Sequence, residues 1–212
     1  MKQNKIKDGS KIADVLLYLA ALFVCVITIY PMYYVVIRSI SDPVKSLANT
    51  VTFYPQGLYF GTYELILGDK QMWLAYANTL FYVVAGTLLM LVTSILGAYP
   101  LTVKNLLARK WIVRFLLVPM YFGGGLIPSF LLINRLGMYD SRMAMIIPGA
   151  VGIMNIILTR TYFTTLPESL SESAKLDGAN HITILSRIYV PLSKPILAVV
   201  AIYTIVGIWN SW

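Results

Sequence analysis

The sequence predicts an all-α polytopic membrane protein, and three observations predict it. Hydrophobic residues make up 58% of the 212 residues and charged residues only 12%, about half the charged share of an ordinary soluble domain. The apolar residues gather into runs of roughly 20 or more, the length a helix needs to cross a hydrocarbon core of about 30 Å. The basic residues lie beside these runs, and no charged residue sits at the centre of one. Five runs are read: about Ile12 to Ile37, Trp73 to Leu101, Trp111 to Ile133, Met143 to Phe163, and from Pro195 to the chain end at Trp212. Lipid cannot satisfy an open backbone, so each crossing must be a helix or part of a closed barrel. Barrel strands would alternate over only about 10 residues. The first run is too long for a signal-peptide core, and no small-residue cleavage site follows it. Residues 1–11 are a short N-terminal tail, and 12–212 form one transmembrane domain.

Orientation follows from the basic residues. Lys2, Lys5, Lys7, Lys11, Lys104, Arg109, Lys110, Arg114, Arg160, Lys175, Arg187 and Lys194 fall on one side, and Arg38, Lys45, Lys70, Arg135 and Arg142 on the other, 12 against 5. The richer side is cytoplasmic, which places the N-terminus and the segment 164–195 in the cytoplasm. A net charge of +8 could suggest nucleic acid, but these residues flank apolar spans and do not form one basic face, so no nucleic-acid partner is expected. The long outer loop, about Arg38 to Gln71, reads either as an ordered cap or as a simple connector with interfacial aromatic anchors.

Several chemistries find no residues to support them. Cys25 is the single cysteine and His181 the single histidine, so neither a disulfide nor a metal site is expected. No phosphate-cradling G-x-x-x-x-G-K-[ST] is present, and no cofactor or catalytic residue is assigned. Gly123, Gly124 and Gly125 lie within the third run, where they let neighbours approach closely or let the helix break. The absence of mid-span ionisable groups argues against proton- or sodium-driven transport. Tyr33, Tyr34, Tyr82, Tyr121, Asn78 and Asn155 lie in spans. Of these Tyr82, Asn78, Tyr121 and Asn155 are the candidates to line a solute path, although such residues also serve as interface anchors and interhelical glue.

The polar island within 164–195 is the most informative stretch. Thr165 and Glu168 have capping-box spacing, and Pro167 suits a first helical turn. Leu166, Leu170 and Ala174 follow at four-residue steps. Gly178 can take the left-handed conformation that ends a helix, with the Asp177 carboxylate capping the N–H groups near Gly178 and Ala179. A second short helix is expected over His181 to Tyr189, with Ile182, Leu185 and Ile188 or Tyr189 as its apolar stripe. Pro191 and Pro195 should end it and start the next span. Two short helices at a bend, with an apolar ridge and acidic ends, suit a groove on another protein. A helix lying on the lipid surface would carry a basic face, whereas Glu168, Glu172 and Asp177 here face Lys175 alone.

Glu172, Ala174, Asp177, Gly178, Ala179, Ile188, Pro191 and Pro195 stand at the spacing of the cytoplasmic coupling loop in permease subunits of bacterial ABC importers, and the segment resembles that loop. Ser173 departs from it, since the family usually has Ala there. The resemblance continues through Tyr30-Pro31, Asn78-Thr79, the 123–128 segment GGGLIP, the 136–141 segment LGMYDS, Ile147-Pro148-Gly149 and Trp209-Asn210. Together these look like the carbohydrate branch similar to the maltose permease, in its oligo- or polysaccharide subgroup. The resemblance implies a subunit of a bacterial plasma-membrane importer that performs no bond chemistry itself. It pairs with a second permease, is driven by ABC ATPase subunits bound at the coupling loop, and receives solute from an extracytoplasmic binding protein. The branch normally has six spans. With about five read, the sequence is expected to be a fragment or truncated product, or to gain its last helix elsewhere. A self-powered transporter or channel, or a non-transporting remnant, are the alternatives.

Overall fold

The computed structural model describes residues 9–103 and 106–211. Lys2, Lys5, Lys7, Lys104 and Trp212 lie outside them. The chain divides into two compact units, Met1–Trp73 and Leu74–Trp212.

In the first unit, α1 (Gly9–Ser39) is a single long helix. Most of its Ala13–Ser39 stretch is exposed, with Ile37 buried near the end. An apolar surface of this extent on one helix needs lipid or another protein around it. Beyond it the chain is ordered, and local hydrogen bonds explain why. Asp42 caps α2 (Pro43–Leu47) by accepting from Val44 N at 2.9 Å and Lys45 N at 3.3 Å, with Pro43 in the first turn where its missing N–H costs nothing. The Tyr30 hydroxyl donates to Thr52 O at 3.2 Å, and the Tyr33 hydroxyl donates to Phe53 O. Arg38 donates to the Tyr34 hydroxyl at 3.0 Å and to Ser46 O. The segment after α1 is therefore folded back on it, held by Tyr30, Tyr33 and Arg38. The short α3 (Gly61–Gly68) follows.

The second unit is carried by α4 (Lys70–Ala98). Its buried residues, Val83, Gly86, Thr87, Met90, Ser94 and Ala98, recur at three- or four-residue steps and are mostly small. Small residues let backbones close up in a bundle. A Cβ on Gly97 would stand 3.0 Å from Ile156 Cδ1 of α8 (Ile153–Phe163), and one on Gly86 would run into Ile208 of α12 (Lys194–Trp209). The close fit leaves the hydroxyls of Thr87, Ser94 and Thr159 buried with no partner among the described residues.

Two apolar runs are not the continuous helices expected. The third is α5 (Arg109–Tyr121) and α6 (Leu126–Arg135), bent by 110° across the glycines. Gly125 has φ +83°, which only glycine adopts without cost, and a Cβ on Gly123 would touch nothing within 4 Å. These glycines break the helix; they do not admit a neighbour. The fourth run is α7 (Met143–Ile146) followed by turns to α8, because Pro148 has no N–H to donate and Gly149 adds no side chain to pack. Among the described residues, Ala13–Ser39 and Lys70–Thr102 are long and apolar enough to cross a bilayer alone. The count rises to four if the α5–α6 pair and the pair His181–Leu192 and Lys194–Trp209, bent by 78°, each form one span.

Phe163, 1% exposed at the end of α8, anchors the core of this unit. Phe163→Ala should cost about 3–5 kcal/mol and lower the thermal midpoint of the chain in detergent. Phe122→Ala, at a side chain 76% exposed, should leave that midpoint unchanged. Equal midpoints for both variants would refute this core.

A candidate coupling loop and a candidate solute path

The first helix of the polar island is α9 (Glu168–Leu176). Its start corrects the expected capping box. Pro167 occupies the cap position, and the Thr165 hydroxyl bonds back to Tyr162 O at 2.7 Å. The end of α9 follows the expectation at Gly178, which has φ +80°. Gly178 N donates to Lys175 O at 3.0 Å and Ala179 N to Ala174 O at 2.9 Å, the paired bonds of a Schellman motif. The carbonyls of the last turn thus take the N–H groups that the Asp177 carboxylate was expected to cap. Asp177 is the exposed C-cap residue.

The next helix is capped by Asn180, whose side chain accepts from Thr183 N at 2.8 Å. It runs as α10 (His181–Ile184), a π-helical turn (Leu185–Tyr189) and α11 (Val190–Leu192). Pro191 therefore does not end it. A proline ring clashes with the carbonyl four residues back, and the wider π turn just before Pro191 relieves that conflict. The chain breaks instead at Ser193, and α12 starts with Pro195 in its first turn. The expected stripe is also revised. Ile182 is 77% exposed and Ile184 1% exposed, because residues two apart in a helix lie on nearly opposite faces.

Behind the loop lies its core. Ala98, Tyr99, Leu101, Ile156, Phe163 and Ile184 are buried together, and Ala174, Ala179, Leu185, Ile188 and Tyr189 pack against them. The Tyr189 ring sits 5.2 Å edge-on from both Phe163 and Tyr99. The Tyr99 hydroxyl lies 3.0 Å from His181 Nδ1. The loop's motif residues thus divide by role. Ala174, Ala179 and Ile188 join the core, Gly178 makes the bend, and Glu172, Asp177 and Pro191 are exposed. Glu172 borders a cavity of about 240 Å³ shared with Glu168, Lys175, Tyr99 and His181. The sequence does not single out Tyr99 or Phe163, and it offers Tyr189 only as an alternative to Ile188 in the apolar stripe. Aromatics at span ends were their only signal, and it does not say which rings meet.

Of the solute-path candidates, Tyr82 lines a cavity of about 220 Å³ with Thr79, Met145 and Ser211. Asn155 lines one of about 300 Å³ with Met90, Tyr203 and Thr204. The two cavities share Met145, Gly149, Gly207 and Ile208. Asn78 accepts a hydrogen bond from Arg142 Nη2 at 3.1 Å. Tyr121 is exposed at the end of α5 and lines neither cavity. Among the described residues no group of three or more His, Cys, Asp or Glu could hold a metal ion.

Known proteins share this arrangement. A bacterial ABC transporter involved in the import of the acidic polysaccharide alginate contains a chain that superposes with a TM-score of 0.93, at 32% identity over 99% of this chain and 75% of that one. Protein LplC of Bacillus subtilis is 32% identical over 88% of this chain and 63% of its own length. The polygalacturonan/rhamnogalacturonan transport system permease protein YtcP of the same organism is 30% identical over 96% of this chain and 71% of its own length. Residues 96–211, more than half of the chain, match the family described as binding-protein-dependent transport system inner membrane component. The matched region holds the Gly178 bend, the core behind it and the cavity-lining helices α8 and α12, and the chain belongs to this family of membrane permease components.

Proposed function

We propose that the chain is a membrane-spanning subunit of an ATP-driven importer of oligo- or polysaccharide solutes, with the segment 164–195 as its coupling loop. ATPase subunits dock on the loop, a second permease completes the path, and an extracytoplasmic solute-binding protein delivers the cargo. The chain itself hydrolyses nothing. The observation that carries this reading is the locked bend at Gly178, set on an aromatic core at the end of the transmembrane helices. It presents Glu172, Asp177 and Leu176 outward and puts Ala174, Ala179 and Ile188 against that core. The names of the relatives support carbohydrate as the cargo class.

The connections of the loop supply a mechanism. The loop continues covalently from α8 and into α12, the two helices that carry Asn155, Tyr203 and Thr204 of the inner cavity. A rigid-body push on α9 is therefore delivered to both of these helices at once, the kind of interface motion that switches packed helices between two arrangements. Tyr82, Asn155 and Asn78 are the candidate solute contacts, and Tyr121 stands apart from them. With the N-terminus cytoplasmic, as the basic residues indicate, the loop faces the ATPases and the Arg38–Gln71 loop faces outward.

Gly178 has nothing within 4 Å of an added Cβ, so a substitution there acts through backbone strain alone. Gly178→Val should cost on the order of 1–2 kcal/mol, abolish ATP-dependent uptake and leave membrane insertion intact. Gly178→Asn, which tolerates the left-handed conformation, should retain much of the activity. Uptake of labelled oligogalacturonide by cells carrying the intact transport operon measures both variants, and wild-type uptake by the valine variant would sink the coupling role of the bend.

Reversing the exposed charge in Glu172→Lys should weaken capture of the ATPase subunits in a pull-down. In intact cells, a cysteine at Ser171 should be shielded from an impermeant thiol reagent added outside, while one at Gln56 reacts. Labelling at Ser171 would overturn the orientation.

A further inference from the structure

The coupling loop is joined through the backbone to α8 and α12, but it reaches α4 through side chains alone. Yet α4 carries Thr79, Tyr82, Gly86 and Met90 of the cavity walls, so a motion that did not reach α4 would move only part of the path. Two polar ties hold the loop-side end of α4. Arg160 Nε donates to Leu101 O at 3.2 Å, which binds that end to α8. The Tyr99 hydroxyl, 3.0 Å from His181 Nδ1, binds it to the first residue of α10. Tyr99 is 8% exposed, and its ring is fixed against Tyr189, so the hydroxyl is held in one place where the core meets the loop cavity.

We infer that the Tyr99–His181 hydrogen bond is the positioning contact that carries movement of the coupling loop into α4. The inference rests on the permease reading proposed above. The pair suits the task because the bond does not depend on one protonation state. With a neutral imidazole protonated at Nε2, the hydroxyl donates to Nδ1. With an imidazolium, Nδ1 donates and the hydroxyl oxygen accepts. Glu168, Glu172 and Lys175 of α9 and Tyr189 of the π turn border the same cavity, and the contact persists whichever form of the ring they favour. Neither residue lines the cavities of Tyr82 and Asn155, so their role is positional.

The test uses the chain assembled with its partner permease and ATPases in membrane vesicles. A Thr79→Cys reporter is placed in the cavity wall of a Cys25→Ser background, and its maleimide reactivity is read with and without ATP plus vanadate. Tyr99→Phe keeps the ring and removes the hydroxyl. It should reduce the nucleotide-dependent change in reactivity by at least about fivefold, the lower end of coupling between sites, while ATPase capture and ATP hydrolysis hold. His181→Ala should do the same, and His181→Gln, whose amide can accept from the hydroxyl, should restore the change. Because the chain has one histidine, its imidazole 15N signal reports the bond directly and should shift in Tyr99→Phe. A full reactivity change in Tyr99→Phe, loss of ATPase capture in that variant, an unmoved histidine signal, or no nucleotide-dependent change in the parent would each overturn the inference. A clear nucleotide-dependent change without uptake of labelled oligogalacturonide would overturn the carbohydrate reading and leave the contact standing.

Discussion

The packing of Tyr189 between Phe163 and Tyr99 is the contact on which the rest of the second unit depends. The polar loop has few apolar residues of its own and could not form a core alone. Set against the ends of α4 and α8, its Ala174, Ala179, Ile184 and Ile188 complete one. Aromatic rings edge-on at 5.2 Å add directional preference to burial, and this fixes how the loop is seated as well as that it is seated. A loop held only by lipid or by its two covalent ends would yield to a push. One seated on a close-packed core transmits it, because packed interiors deform little.

The second constraint is how helices end. Three breaks in the second unit fall where the backbone has an alternative to continuing. Gly178 takes a positive φ while carbonyls of the preceding turn accept the N–H groups around it. Gly125 likewise takes a positive φ between α5 and α6. Pro148 removes a donor in the fourth run, whereas Pro191 is absorbed by a π turn and the helix continues. The difference at the two prolines shows that proline alone does not determine a break. What matters is whether the preceding turn can widen and still find partners for its carbonyls.

Small residues set how tightly the helices close. Gly86, Gly97 and Gly152 stand where a Cβ would crowd Ile208, Ile156 and Met90. The resulting interfaces bury hydroxyls at Thr87, Ser94 and Thr159 without partners among the described residues, each at a cost of about 1–3 kcal/mol. Interfaces made of close backbone approach and few interhelical hydrogen bonds have little directional chemistry to resist repacking. That would suit the proposed transport role, in which the cavity they flank opens to one side and then the other.

The sequence by itself determined the class of the protein, the course of the apolar runs, the bend at Gly178 and the polar segment 164–195 that holds it. These properties are local. Run length, charge asymmetry and a glycine after an amphipathic helix act over a few residues and need no partner from elsewhere in the chain. Only the tertiary structure decided which side of the α10 helix faces inward, so that Ile184 and not Ile182 is buried. It also decided that Tyr82 and Asn155 border adjoining cavities while Tyr121 borders neither, and that Tyr99 meets His181, 82 residues away. Each of those outcomes depends on residues distant in sequence coming together, and the choice among equivalent apolar faces is made by the shape of the neighbour and not by the segment itself.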